Sequence, residues 1–110
     1  MSVANLIKTT YGGNLNPEEN KITISSSEVT QIVKGNPERA LLLMVNVGNY
    51  NVYIAMAQDV AVGNGLLLPA NGGFIVFNWR DDGLLPTKEW YGIADGGDSK
   101  LYVVELKFLR

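Results

Sequence analysis

The chain is expected to fold as an all-β domain, an antiparallel sandwich or a jelly-roll-like small barrel of about seven to nine short strands. Three observations predict this. Apolar residues recur with a period of two: in Tyr50 to Met56, for example, Tyr50, Val52, Ile54 and Met56 share one face and Asn51, Tyr53 and Ala55 the other. Turn signals separate short apolar runs about every ten residues. Finally, 12 Gly and a charged fraction of 18% suit a chain with many turns, or one that buries much of its surface in an assembly.

Each element has its own grounds. Pro17 to Asn20 reads as one helical turn with Pro at its first position, or as a loop. Lys21 to Ser25 is a short strand with Ile22 and Ile24 on one face, and Glu28 to Lys34 continues the β character. Gly35, Asn36 and Pro37 make a turn, because Pro37 cannot donate to a ladder. Leu41 to Val47 is apolar on both faces and so reads as a central strand. With Tyr50 to Met56 it is expected to form a β-hairpin across Val47, Gly48, Asn49 and Tyr50. A loop follows to Gly65, then a strand Leu66 to Leu68 ended by Pro69, a turn, and an apolar strand Phe74 to Trp79. Arg80 to Lys88 is a polar loop, and Glu89 to Ala94 is a strand. In the last strand, Leu101 to Leu109, the residues Tyr102, Val104, Leu106 and Phe108 are expected to face inward, with Glu105 and Lys107 outward. The structural turn positions are Gly48, Asn49, Asn64, Gly65, Gly72, Gly73, Gly96 and Gly97.

A chain of 110 residues makes one domain. Residues 1–20 are the least patterned and read as an N-terminal arm that orders against a neighbour; residues 21–110 form the single β-sandwich domain. The net charge of -2 and the scattered basic residues give no electrostatic reason to expect nucleic acid or an anionic membrane as partner. No stretch approaches the roughly 18 apolar residues of a membrane helix, and the first ten residues lack the pattern of a signal peptide.

Composition narrows the chemistry further. Without Cys the chain has no disulfide, thiolate ligand or thiol nucleophile. Without His it lacks the commonest general base and zinc ligand. An enzyme would have to run on carboxylates, Lys, Tyr, Ser or Thr, and Glu89, Asp95 and Glu105 would be the carboxylates of a small glycoside hydrolase. That is the weakest reading, since so short a chain struggles to build a core and a cleft together. No cofactor is expected. Asp81, Asp82, Asp95 and Asp98 offer hard oxygen ligands on two late loops that hairpin connectivity could bring to one end. Their spacing matches no calcium motif, so turn residues are the preferred reading. The glycine pairs precede no helix and are turns, not phosphate loops.

Tyr53, Trp79, Trp90 and Tyr91, with Asp81 and Asp82 beside Trp79, are the candidates for a partner or glycan contact, because Trp and Tyr offer a flat apolar face and a polar tip. Core packing competes for each of them singly. Arg39 stands where the central strand begins; a salt bridge, or a hydrogen bond to a loop carbonyl, would lock the strand there.

One succession of residues goes beyond general β-sheet grammar. Asn36-Pro37 and Arg39 precede the apolar strand Leu41 to Val45; Asn46-x-Gly48 and Asn51-Val52-Tyr53-Ile54 follow. Then come Leu68-Pro69-Ala70-Asn71-Gly72-Gly73, Trp90-Tyr91-Gly92-Ile93-Ala94 and the strand Leu101 to Leu106. This order resembles small tailed-bacteriophage β-sandwich virion proteins: head decoration (auxiliary capsid) proteins, head-fibre bases and small tail or receptor-binding modules. The resemblance spans residues 36–106. The Asp-rich loops and Trp79 to Asp82 depart from it, so no contact surface carries over. It implies a non-enzymatic structural protein, made in the host cytoplasm and resident in the virion. It further implies a homo-oligomer, with a trimer preferred, cementing capsid or tail proteins. The alternative reading is a carbohydrate-binding or host-receptor module of a phage tail.

Overall fold

The computed structural model describes residues 14–109. Eight strands form two four-stranded antiparallel sheets. The strands are β1 (Asn14–Ile24), β2 (Thr30–Val33), β3 (Arg39–Asn46), β4 (Val52–Ala55), β5 (Leu66–Leu68), β6 (Phe74–Asn78), β7 (Trp90–Ala94) and β8 (Ser99–Leu109). One helical turn, α1 (Trp79–Asp82), and a 3-10 turn at Leu85–Thr87 lie between β6 and β7. The first sheet has the order β1-β8-β3-β6 and the second β2-β7-β4-β5.

The pairing is nested: first strand with eighth, second with seventh, third with sixth, fourth with fifth. A long antiparallel ribbon has been rolled so that its pairs fall alternately into two sheets. That is the winding of a jelly roll. It puts the β1–β2, β3–β4, β5–β6 and β7–β8 connections at one end of the sandwich and the other three at the opposite end.

Between the sheets lie Ile24, Ile32, Leu42, Met44, Val52, Ile54, Leu68, Phe77, Trp90, Ala94, Leu101 and Val103. Phe77 and Trp90 stack across the two sheets with centroids 4.8 Å apart. The Trp90 indole N–H donates to the Leu85 carbonyl at 3.2 Å, so its polar tip is satisfied although only 2% of the residue is exposed.

Four sequence expectations change. Pro17 to Asn20 is neither helical turn nor loop: it belongs to β1, which starts seven residues before Lys21. Pro17 is tolerated because β1 is an edge strand, where a missing N–H leaves no ladder bond unmade. The rest of the expected arm, residues 1–13, lies outside the described residues.

Leu41 to Met56 is not a hairpin. β3 pairs with β6 and β8, while β4 pairs with β5 and β7, so the chain crosses between sheets at Val47 to Asn51. Asn46 turns it: its side-chain amide donates to the carbonyls of Tyr50 at 2.7 Å and Leu68 at 2.9 Å. Gly48 lies so close to β8 that a Cβ there would sit 2.0 Å from Ser99 Oγ and 2.6 Å from the Lys100 nitrogen. Gly48→Ala is therefore expected to lower stability by about 1–3 kcal/mol, the range for overpacking, as read from urea denaturation midpoints. An unchanged midpoint would show that the crossing relaxes freely.

β8 faces the other way from its expected orientation. Leu101, Val103 and Glu105 point into the sandwich, and Tyr102, Val104, Leu106 and Phe108 lie half-buried on its outside. The cause is Arg39, which gives a buried Glu105 its countercharge at 2.7 Å. β6 ends at Asn78 and Trp79, expected as its last residue, opens α1, which with the 3-10 turn occupies much of Arg80 to Lys88, expected as loop. Its two acids are absorbed locally. Asn78 caps α1 by accepting from the Arg80 and Asp81 nitrogens, Asp82 accepts from the Asn78 nitrogen at 2.9 Å, and Asp81 accepts from the Asn78 side-chain amide at 3.0 Å.

The turn glycines serve backbone needs. Gly65, Gly72 and Gly96 have positive φ, and a Cβ on Gly97 would meet the Tyr50 ring at 2.6 Å. Asn64 bridges to Ala61 in the long β4–β5 connection. Gly73 packs against Pro69, and Asn49 lies exposed in the β3–β4 crossing.

Candidate functional site: the outer face of the first sheet

Strand pairing fixes which residues lie side by side on the outside of the first sheet. Residues directly opposite in the register share a face. One row reads Lys21, Tyr102, Val45, Phe74 across β1, β8, β3 and β6; the next reads Glu19, Val104, Leu43, Val76. A third reads Pro17, Leu106, Leu41, Asn78, and Leu15 with Phe108 begins a fourth. The middle of this face carries no charged side chain. Phe74 is 65% exposed and Val76 42%. An antiparallel sandwich ordinarily sets polar residues on its outer faces; here the outer sides of β8, β3 and β6 are largely apolar.

Charges lie at the borders: Lys100, exposed on β8 opposite Thr23, stands at the end of the face beyond the Lys21–Tyr102 row. Along β1 stand Glu19 and Lys21, and the Tyr102 hydroxyl donates to the Glu19 carboxylate. This bond, with smaller contributions from burial and from the Glu19 charge, raises the Tyr102 pKa above the usual tyrosine value. A raised pKa means that the bond's contribution is complete at neutral pH and fades as pH rises through the folded-state value. In an alkaline absorbance titration, subtracting the Tyr102→Phe variant is expected to leave a phenol ionising later than a model tyrosine. A normal midpoint would show that the bond does not persist in solution.

At the other margin, β6 runs into α1. From there a hollow of about 480 Å³ runs across the end of the sheet as far as Leu15 on β1, bordered also by Ala40, Leu41, Leu106, Asn78, Trp79, Arg80 and Asp81. Trp79 is exposed, with the Arg80 guanidinium 6.0 Å from its ring centroid. Trp79 and Asp81 thus lie together, beside the apolar face, with Asp82 holding the cap behind them.

The remaining predicted residues are elsewhere. Trp90 is core. Tyr53 and Tyr91 belong to the second sheet, where Tyr53 lies between Leu67 and Ile93 on the outer face. The Tyr91 hydroxyl accepts from the side-chain amides of Gln31 at 3.4 Å and Gln58 at 3.3 Å, and donates to Glu89 at 3.0 Å. Val29, Gln31, Gln58 and Tyr91 line a polar hollow of about 440 Å³. The predicted aromatics therefore split into a Trp79 corner, a Tyr91 hollow and a buried Trp90. Asp95 and Asp98 sit at the opposite end from Asp81 and Asp82; Asp98 accepts from the Ser26 nitrogen at 3.1 Å. Among the described residues no three acidic side chains converge on a cation position. No helix among them is long and apolar enough to cross a membrane.

The contact residues expected from sequence do not include Leu43, Val45, Phe74, Val76, Val104 and Leu106. The available signal was an apolar run unbroken in both parities, in Leu41 to Val45 and Phe74 to Phe77. Such runs declare two apolar faces, and a sandwich strand has only one core to fill. No protein-family model matches the chain, and no curated protein matches it.

Proposed function

We propose that this protein is a non-enzymatic structural component of a tailed-phage virion, a capsid decoration or cementing subunit that works through protein–protein contacts. The apolar outer face of the first sheet carries this reading. Cementing needs a rigid sheet that presents a dehydrated surface, and needs no titratable catalyst. The jelly-roll winding accords with it, because capsid domains use that architecture, although lectins use it too. Two of the three carboxylates considered for catalysis have other partners in the fold: Glu105 is bound by Arg39, and Glu89 by Tyr91.

The test is composition of particles. Phage particles from the host that expresses this chain, purified by density gradient, are expected to contain it at a fixed ratio to the major capsid protein by quantitative mass spectrometry. Its absence from intact particles would sink the proposal.

One observation favours a second reading, a carbohydrate-binding module of a phage tail. The Tyr91 hollow joins two side-chain amides and a carboxylate around one hydroxyl, the mixture of donors and acceptors that sugar hydroxyls engage. Weak binding on a glycan array, lost in Gln58→Ala, is the expected result under that reading. Silence across a broad panel would remove it.

A further inference from the structure

We infer that the outer face of the first sheet is covered by the same face of a second copy, so that the protein pairs about a twofold axis. This rests on the self-association part of the structural reading and sets the number at two rather than three.

Three features select a second copy as the occupant. The first is area. Four strands about 4.8 Å apart and rows spanning about seven residues give a face of roughly 19 by 24 Å, or about 450 Å². Two such faces together come near the roughly 1,000 Å² that a specific interface needs, before the Trp79 corner is added.

Charge is the second. The groups bordering the face, Glu19, Lys21, Lys100, Arg80 and Asp81, sum to +1, with both signs present at two borders. Laying the face on itself sets only one excess positive charge per copy, that of Lys100 at the end of the face, against its like. With its axis along the strands, the twofold sets the β1 border of one copy beside the β6 border of the other. A polyanion or an anionic lipid surface would find no cationic field here.

Closure is the third. The outer faces of a sandwich point in opposite directions. Stacking the first sheet of one copy on the second sheet of the next would repeat without end and form a fibre. Stacking first sheet on first sheet ends at two, and a flat apolar patch is complementary to itself under that rotation.

Sedimentation velocity of the full chain over a thousandfold range of concentration tests this. The expected result is reversible dimerisation. Val76→Lys should weaken it by at least about 100-fold, since it buries an unpaired charge, while Leu67→Glu on the opposite sheet leaves it unchanged. If Val76→Lys loses its native circular dichroism, Phe74→Asp, at a more exposed position of the same strand, replaces it. Hydrogen exchange of β3 and β6 should slow as concentration rises. A monomer at all concentrations, a trimer, or a dimer indifferent to both β6 substitutions would overturn the inference. Concentration-independent protection of the face would also overturn it. A strict monomer that is nevertheless stoichiometric in particles would end the dimer and leave the virion reading standing.

Discussion

Arg39→Ala is expected to lower stability by about 3–5 kcal/mol, the range for removing one member of a buried ion pair. Arg39 is 3% exposed, and its guanidinium works in four directions. Its Nε donates to Glu105 on β8, Nη1 to the carbonyls of Pro86 and Lys88, and Nη2 to that of Lys34. One side chain thus ties the β2–β3 connection, the β6–β7 connection and the last strand together. Truncation leaves the buried Glu105 carboxylate only the Lys107 ammonium, 3.7 Å from its other oxygen, and three carbonyls without this donor. The loss is a large share of the roughly 5–15 kcal/mol that holds a domain of this size, and melting should fall by well over 10 °C. Arg39→Lys should rescue only part of it, because an ammonium cannot span four acceptors held in a planar fork. The double variant Arg39→Met with Glu105→Leu removes the stranded charge, so it should be more stable than Arg39→Ala; the three carbonyls keep it below the wild type. Guanidinium denaturation measures all of these. A loss under about 1 kcal/mol for Arg39→Ala would mean that water replaces the guanidinium at that end of the sandwich.

Asn46→Ala should cost about 3 kcal/mol at the opposite end. Asn46 is fully buried and uses both halves of its amide: the nitrogen donates to Tyr50 and Leu68, and the oxygen accepts from the Gly48 nitrogen at 3.1 Å and Ser99 Oγ at 2.8 Å. Leu68 belongs to the second sheet and Ser99 to the first, so this one amide fastens the sheets together where the chain crosses. Asn46→Asp gives a sharper test. A carboxylate would face two carbonyls it cannot donate to, which disfavours its charged form and raises its folded-state pKa above the unfolded value. The sign follows: the variant should be more stable below the unfolded carboxylate pKa and lose that stability as pH rises through the folded value. Wild type lacks this added pH slope. A flat difference between the two proteins across the acid range would show that the amide nitrogen is not held as a donor.

The fold class and most strand positions were legible because they depend on local alternation and turn chemistry. Val52 and Ile54 enter the core as their period requires, and Pro69 and the Asn71 to Gly73 turn stand where the chain reverses. What local pattern does not carry is partnership. The break at Gly48 announces a reversal but not whether the strands beside it pair or separate, and that choice rests on Asn46 reaching Leu68, 22 residues away. The facing of β8 was misread for a related reason. Glu105 looks like a surface residue until Arg39, 66 residues distant, is known to meet it. The apolar outer face was visible as unbroken runs in β3 and β6, yet the same runs also describe a strand at the centre of a sheet. β3 is both.

The nested pairing has a consequence for how the protein comes into being. β1 runs along β8 over its whole length, Asn14 against Leu109 through Ile24 against Ser99. Residues 14–24 therefore have no sheet partner until residues 99–109 have been made. β2 waits in the same way for β7, and β3 for β6 and β8. Only β4 with β5 can close early, over a short separation in the chain. Such long-range pairing makes acquisition of structure late and slow, so through most of synthesis the nascent strands stand open as edges that other chains can join.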